Sequence, residues 1–145
     1  MKRTADQLIS GHLIYVQSSE DLASAWAKMQ SNDVRHLIVV NEKNDLVGVL
    51  SDRDCLKAVH SQSYFNQRGR AVEITFPQNV FVEEYMRAPV KLVEYDTPTY
   101  EIAELMNESK ISSVVVRSAG RVIGILTEYD ILKDYIDIMK PKSSL

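Results

Sequence analysis

A seven-residue pattern occurs twice in this 145-residue chain. Residues 48–54 read GVLSDRD and residues 124–130 read GILTEYD, so each copy has glycine, two apolar residues, a hydroxyl residue, two variable residues and aspartate. The apolar residues belong to a run typical of a buried strand, and serine and threonine are common helix N-caps. The pattern therefore predicts a strand that runs directly into a helix, at two places in the chain.

The predicted strand-to-helix corner has the chemistry of an anion site. The first turn of a helix carries unpaired backbone N–H groups and the positive end of the helix dipole, which suits phosphate. Ser51 and Thr127 are the predicted N-caps, and Asp54 and Asp130 lie in the first helical turn. An N-cap alone stabilises a helix by about 1 kcal/mol, so one copy needs no ligand to explain it. The recurrence of both residues at matching positions favours ligand binding.

Composition limits the class of protein. Hydrophobic residues make up 45% of the chain, and the net charge is −3, which provides no basic surface for nucleic acid or an anionic membrane. No apolar run approaches the roughly 20 residues needed to cross a bilayer. The single cysteine, Cys55, rules out an internal disulfide and is expected to pack in the core. These features predict a cytoplasmic globular protein with neither a nucleic-acid nor a membrane partner.

The repeat extends well beyond the seven residues. Met106 lies 77 residues after Met29 on matching amphipathic helices, and Gly124 lies 76 residues after Gly48. The difference of one residue falls in the turn between two predicted strands. Each glycine lies inside a strand, where the missing side chain allows close approach of a ligand or of a neighbouring chain segment.

Each copy is predicted as helix, strand, helix, strand, strand, helix, which is an α/β (α+β) fold. The copies span residues 4–60 and 81–139, with a linker at 61–80 and a tail at 140–145. The predicted strands are residues 13–16, 37–40 and 46–50, then 90–93, 114–116 and 122–126. The long helices are expected to begin at Ser19 and at Asp96 or Thr97, and the last helices to span 52–60 and 128–139. The final helix is expected to turn five apolar residues inward, namely Ile131, Leu132, Tyr135, Ile136 and Met139.

Each copy resembles a cystathionine β-synthase (CBS) domain, and the whole chain is similar to a stand-alone tandem pair, or Bateman module. The resemblance rests on the repeated glycine-to-aspartate motif at a nearly constant distance from an amphipathic helix and an apolar strand. It implies two repeats, each a small mixed sheet with packed helices, associated by pseudo-two-fold symmetry. It also implies that AMP, ADP, ATP or S-adenosylmethionine binds in the clefts between the repeats, with no obligatory cofactor.

The resemblance carries ligand-binding roles to specific positions. Asp54 and Asp130 are placed to accept hydrogen bonds from the two vicinal hydroxyls of a ribose, which suits a carboxylate. Ser51 and Thr127 would hydrogen-bond the sugar or the phosphate. These four residues form the expected centre of the two sites.

The two sites differ in charge. Arg53 can pair with a phosphate, whereas its counterpart is Tyr129. The resemblance also brings the loop with Arg35 and His36 to the first ligand, so the first site is expected to bind phosphate better. The remaining positions that it implies are Ile14 and Lys91 beside the base and, in the loop of the second copy, Ile111, Ser112 and Ser113.

Three classes of function are open to such a chain. The leading one is a non-enzymatic regulatory sensor that binds an adenosine-containing ligand and signals in trans, as a homodimer or through a protein partner. The second is a structural or adaptor dimer whose clefts do not bind nucleotide. An enzyme is the weakest, because the sequence contains neither a nucleophile with a base and its orienting group nor a cluster of metal ligands.

Overall fold

The computed structural model describes residues 3–9, 12–59 and 74–141. Within these ranges both copies follow the predicted order of elements, which confirms the α+β fold class. None of the helices in the described ranges is long and apolar enough to span a bilayer. In chain order the elements are α1 (Ala5–Leu8), β1 (Tyr15–Gln17), α2 (Leu22–Asn32), β2 (His36–Val40), β3 (Leu46–Ser51), α3 (Asp52–Leu56), α4 (Val82–Tyr85), β4 (Leu92–Glu94), α5 (Thr99–Ser109), β5 (Ser113–Ser118), β6 (Arg121–Thr127) and α6 (Glu128–Met139).

Each copy forms one three-stranded mixed sheet. β1 runs parallel to β2, which runs antiparallel to β3, and β4, β5 and β6 repeat this arrangement. Both antiparallel pairs have a register irregularity at the matching place, between Val39 and Val40 and between Val116 and Arg117. The sequence repeat is therefore also a structural repeat, down to the irregularity in the sheet.

The central strand of each sheet is apolar and buried, as its β-branched composition predicts. Its most buried side chains are at most 1% exposed: Leu37, Ile38 and Val39 in β2, and Val114, Val115 and Val116 in β5. The amphipathic helices α2 and α5 pack against these strands through Leu22, Met29 and Ile102. The matching amphipathic helices predicted around Met29 and Met106 are thus confirmed as part of the core.

The described residues form two compact units. One unit contains Ile14–Val90, and the other joins the chain up to Leu13 with the chain from Lys91 onward. The first helix of each copy therefore packs in the unit that holds the other copy's sheet. Ala5 of α1 lies in the core of the second sheet, and Val82 of α4 lies in the core of the first. The compact units and the sequence copies are different divisions of the same chain.

The two repeated glycines provide space for these exchanged segments. A Cβ atom on Gly48 would lie 2.6 Å from Sδ of Met86 and 3.0 Å from the backbone oxygen of Arg87. A Cβ atom on Gly124 would overlap the side chain of Ile9. Of the two explanations for a glycine inside a strand, the structure supports close approach by a neighbouring chain segment.

Several element boundaries differ from the prediction. Helix α2 begins after Asp21, not at Ser19, because the Asp21 carboxylate caps it by accepting a 2.7 Å hydrogen bond from the backbone of Ser24. In the second copy α5 begins after Pro98, and β1 and β4 both begin two residues later than predicted. These edge strands extend only as far as they pair with the central strands. Helix α3 ends at Leu56, earlier than predicted, because the chain continues as a turn over residues 57–59; residue 60 lies outside the described residues.

The prediction for the buried face of α6 is wrong for four of its five residues. Only Ile131 packs against the core, and the buried residue of this helix is Asp134, which is ion-paired with Arg3 of the same unit. The other four are 52–61% exposed: Leu132, Tyr135, Ile136 and Met139. Apolar periodicity identifies one face of a helix, but it does not show what covers that face. Here the face of α6 that packs beside α1 is the one that carries Asp134.

The end of the predicted linker packs against the first unit. The ring of Phe76 lies 5.7 Å from the indole of Trp26, and Val80 also contacts that core. Residues 61–73 of the linker and 142–145 of the tail lie outside the described residues.

Candidate functional site

Both predicted strand-to-helix corners form. The amide of Asp54 donates to Oγ of Ser51 at 3.1 Å, and the amide of Ser51 donates back to Oδ2 of Asp54 at 3.1 Å. In the second copy the amide of Thr127 donates to Oδ2 of Asp130 at 2.8 Å, and the Asp130 amide donates to Oγ1 of Thr127 at 3.4 Å. Each pair is a reciprocal capping box, so both predicted N-caps are confirmed.

The first corner brings together the residues predicted around it. The amide of Asp52 donates to the carbonyl oxygen of Arg35 at 3.0 Å, and the Arg35 guanidinium lies 4.0 Å from the Asp52 carboxylate. His36 lies directly opposite Ser51 in the antiparallel pair, so their side chains are on the same face of the sheet. Arg53 is exposed on the first turn of α3. The predicted neighbours Arg35, His36 and Ser51 are therefore adjacent.

The second corner is built in the same way. The amide of Glu128 donates to the carbonyl oxygen of Ser112 at 2.9 Å, and Ser113 lies opposite Thr127 in the sheet. Ile111 packs against the core of its unit, and Tyr129 is 71% exposed on the first turn of α6. This corner presents hydroxyl groups where the first presents a guanidinium and an imidazole.

Ile14 and Lys91 occupy equivalent backbone positions. The carbonyl oxygen of Ile14 accepts from the amide of Ile38 at 2.9 Å, and that of Lys91 accepts from the amide of Val115 at 2.9 Å. The side chain of Ile14 packs against its core, whereas Lys91 is exposed. Ile14 thus lies beside β2, and Lys91 lies beside β5. In each sheet this central strand separates the residue from the strand that ends in the capping box.

The carboxylate of Asp54 is buried and has two further partners that the sequence analysis missed. Its side chain is 1% exposed, and Oδ1 lies 3.2 Å from Nζ of Lys57 and 3.3 Å from Nε of Arg87. Burial raises the pKa of Asp54, but the hydrogen bonds from Ser51, followed by Lys57 and Arg87, together lower it below its ordinary value. Asp54 is therefore an ionised carboxylate that has a donor on each of its oxygens.

Asp130 has a more open environment. Its side chain is partly exposed, and the Thr127 hydroxyl donates to Oδ2 at 3.0 Å, the same oxygen that the Thr127 amide reaches. Across residues 3–9, 12–59 and 74–141, no donor reaches Oδ1 and no cation lies within ion-pair distance of Asp130. The counterpart of Lys57 is Lys133, and the counterpart of Arg87 is Ser10, which lies outside the described residues.

The two missed residues differ in how easily the sequence could have identified them. Lys57 follows Asp54 by three positions on a helix, a spacing at which opposite charges are neighbours. Arg87 is 33 positions away, in the segment that crosses Gly48. Only the tertiary structure places it at the corner.

The cysteine next to the first corner has a structural role. Cys55 is fully buried, and its burial, together with the charges of Asp54 and Asp52, raises the pKa of the thiol to about 12. A nucleophile would need the thiolate, so the prediction that Cys55 packs in the core is confirmed. The described residues also contain no group of three or more side chains that could hold a metal ion.

The repeated architecture matches a known sequence family. The family model for the CBS domain matches residues 5–61 and 82–137, that is, both copies and most of the chain. The chain belongs to the CBS domain family. The resemblance found from the repeated motif is thereby confirmed, and the chain is a CBS domain pair.

Individual CBS proteins show how far the likeness extends. An uncharacterized protein of Methanopyrus kandleri, MK0525, is 31% identical over 107 residues, which cover 73% of this chain and 49% of the relative. The chain thus spans about half the length of that relative. A solved CBS-domain protein from Burkholderia ambifaria has a TM-score of 0.75 at 24% identity and covers 98% of this chain and 100% of its own.

A second solved structure is of a CBS domain pair with ligands. It is the pair of protein MJ0100 in complex with 5′-methylthioadenosine and S-adenosyl-L-methionine. It has a TM-score of 0.70 at 25% identity, and the match covers 92% of this chain and 99% of that one. The mixed three-stranded sheets with packed helices are those of a CBS pair.

Proposed function

We propose that this CBS domain pair is a non-enzymatic regulatory module that binds an adenosine-containing ligand and signals its occupancy in trans. The observation that carries the proposal is the corner at Thr127 and Asp130. Its carboxylate is partly exposed and held in place by the capping box, and both donors that reach it use the same oxygen. The other oxygen can accept the hydrogen bonds of a vicinal diol such as that of ribose.

The ligand class is AMP, ADP, ATP or S-adenosylmethionine. Support for adenosine comes from the MJ0100 pair, whose ligands both contain an adenosine-type group. In this chain the hydroxyls of Ser112, Ser113 and Thr127 would surround the sugar and any phosphate, with Lys91, Ile111 and Tyr129 nearby. A ligand changes the output of such a module only if it binds one conformation more tightly than another.

The first corner is part of the same proposal in a different role. Arg35 and Arg53 supply its cationic character, with His36 beside them, Ser51 and Asp54 at its centre and Ile14 one strand away. These charges favour a phosphate or another anion at this corner, since charge-assisted hydrogen bonds are stronger than neutral ones.

The absence of catalysis is also a proposal about this chain. Cysteine is the most reactive type of nucleophile in the chain. A pKa of about 12 keeps the Cys55 thiol protonated at neutral pH, so it lacks the thiolate that a nucleophile needs. Purified protein incubated with ATP should leave the nucleotide intact over hours. Hydrolysis of ATP by an activity that co-purifies with the protein would contradict the proposal.

A homodimer through α6 would provide the output. Leu132, Tyr135, Ile136 and Met139 follow the spacing i, i+3, i+4, i+7 of one helix face, and all four are 52–61% exposed. An exposed apolar helix face of this kind commonly marks an interaction site. In an isologous dimer the same face of a second copy would cover it.

Titration calorimetry with AMP, ATP and S-adenosylmethionine tests the binding proposal. Asp130→Ala should weaken binding at least tenfold, because the carboxylate that accepts the diol is lost. Glu104→Ala is the matched control, since it removes an exposed carboxylate from α5 of the same unit. Equal affinities in all three proteins would refute the role of Asp130.

A structural or adaptor dimer is the second candidate. The exposed stripe on α6 and the occupied carboxylate of Asp54 both favour it, since neither needs a ligand. Thermal unfolding separates the two functions, because a ligand at 100 times its Kd stabilises the fold by about 2.7 kcal/mol. A stable dimer with no shift in Tm for any of the three ligands would support the adaptor.

A further inference from the structure

We propose that Arg87 closes the first corner to a sugar diol, so that this chain binds one adenosine-containing ligand per protomer, at the corner of Asp130. The inference rests on the proposed function and makes it more specific. It assigns Arg87 as a residue that determines which of two homologous corners accepts ligand.

The first argument is the occupancy of the Asp54 carboxylate. Oδ2 accepts the amide of Ser51, and Oδ1 accepts both Lys57 and Arg87, so each oxygen already has a donor. With the side chain 1% exposed, a ligand hydroxyl can reach the carboxylate only after one of these partners moves. The first corner is therefore closed in the form that the structure describes.

The second argument is energetic. A ribose hydroxyl would replace Lys57 or Arg87 as a donor to the ionised carboxylate, so the hydrogen bond would keep its charged acceptor but lose its charged donor. The exchange also separates a buried carboxylate from its cations, which is unfavourable in a low-dielectric environment. The first corner should therefore bind a sugar diol much more weakly than a corner without such cations.

The third argument is that the backbone fixes Arg87 at this place. Its amide donates to the carbonyl oxygen of Val49 at 2.9 Å, and the Val49 amide donates to the carbonyl oxygen of Arg87 at 3.1 Å. This bridge attaches residue 87 to β3, two positions before Ser51. Gly48 leaves room for the crossing, since a Cβ there would lie 3.0 Å from the Arg87 oxygen. The pairing with β3, the strand that ends at the corner, thus holds the Arg87 guanidinium beside Asp54.

The second copy of the sequence has a different residue at the position that matches Arg87. The repeat places Ser10 where the first corner has Arg87, and serine cannot form an ion pair with a carboxylate. Asp130 is partly exposed, and in the described part of the chain it has no cationic partner. A diol can therefore approach Asp130 without displacing a charge.

The test is the number of ligands bound per protomer, measured by titration calorimetry with AMP and with S-adenosylmethionine. Wild type should bind one, and Asp130→Ala should abolish that binding. Arg87→Ala should raise the number to two, and the added site should disappear in Arg87→Ala/Asp54→Ala. Arg87→Lys is the conservative control and should stay at one, because it retains the charge beside Asp54.

The outcomes separate this inference from the proposed function. Two equivalent sites in wild type would refute the closure by Arg87 and leave adenosine binding intact. If Arg87→Ala and Asp54→Ala each bind fewer ligands than wild type, Arg87 is a ligand contact, and the closure is refuted. No binding in any variant would refute both proposals. Arg87→Gln, which keeps the length of the side chain, replaces Arg87→Ala if circular dichroism shows that the latter fails to fold.

Discussion

The guanidinium of Arg87 lies 3.3 Å from the carboxylate of Asp54, although 33 positions separate the two residues. The contact joins the segment after α4 to the first turn of α3, in a different sequence copy. It changes what the repeated motif can do at its first occurrence. At the second corner the carboxylate of the motif is partly exposed, whereas at the first it is buried and bound by two of the protein's own cations.

Asp54 should contribute stability that depends on pH. Because its pKa is lowered in the folded state, the stabilisation is present above the unfolded value of about 3.9 and is lost as the pH falls through the folded value. Asp54→Asn should therefore reduce the free energy of unfolding by about 2 kcal/mol at pH 7, through lost charge-assisted hydrogen bonds. Urea titrations at pH 7 and pH 3 measure the difference, which should shrink at the lower pH.

Glu104→Gln serves as the control for Asp54→Asn, because it removes an exposed carboxylate that forms no ion pair within the described residues. A loss of stability in Asp54→Asn that is the same at both pH values would contradict the role of the charge.

Gly124→Ala should destabilise the second unit. The new Cβ would overlap the side chain of Ile9, so α1 and its following residue must shift. Overpacking of this kind typically costs about 1–3 kcal/mol. The matched experiment places the substitution in an Ile9→Ala background, where the space is available and the cost should fall below 1 kcal/mol. An unchanged cost in that background would show that the two residues are not in contact.

Cys55 should be unreactive in the folded protein. Burial and a thiol pKa of about 12 leave almost no accessible thiolate at pH 8. Because it is the only cysteine of the chain, a chromogenic disulfide reagent should release colour only after denaturant is added. Ser109→Cys, at an exposed position that ends α5, should react at once with one equivalent. Rapid reaction of the unmodified folded chain would contradict the burial of Cys55.

A charge on the exposed face of α6 should separate the proposed dimer. Ile136→Lys introduces a like charge from each copy into the apolar contact, whereas the helix and its buried face remain unchanged. Sedimentation equilibrium should show a dimer for wild type and a monomer for the variant, with unaltered far-ultraviolet circular dichroism. Glu104→Lys, on α5, should stay dimeric. A wild-type monomer at all concentrations would rule out the dimer.

The elements and both corners could be predicted because their causes are local. A hydroxyl residue with an aspartate three positions later forms a capping box whatever the rest of the chain does, and β-branched runs form buried strands. The α2 boundary was wrong because Asp21 competes with Ser19 as a cap, and the choice depends on geometry that the pattern does not contain. The prediction of a buried apolar face on α6 was wrong because periodicity alone does not distinguish a face packed on the core from one left exposed.

The amino-acid order alone determines that this chain is a duplicated CBS domain with two capped strand-to-helix corners, since these follow from residues within a few positions of one another. The tertiary structure decides that the two corners differ. Packing places α4 and Arg87 on the first sheet through the space left by Gly48, and a buried carboxylate attracts the cations that packing brings within reach. Contacts of that range depend on the path of the whole chain, so no local pattern contains them.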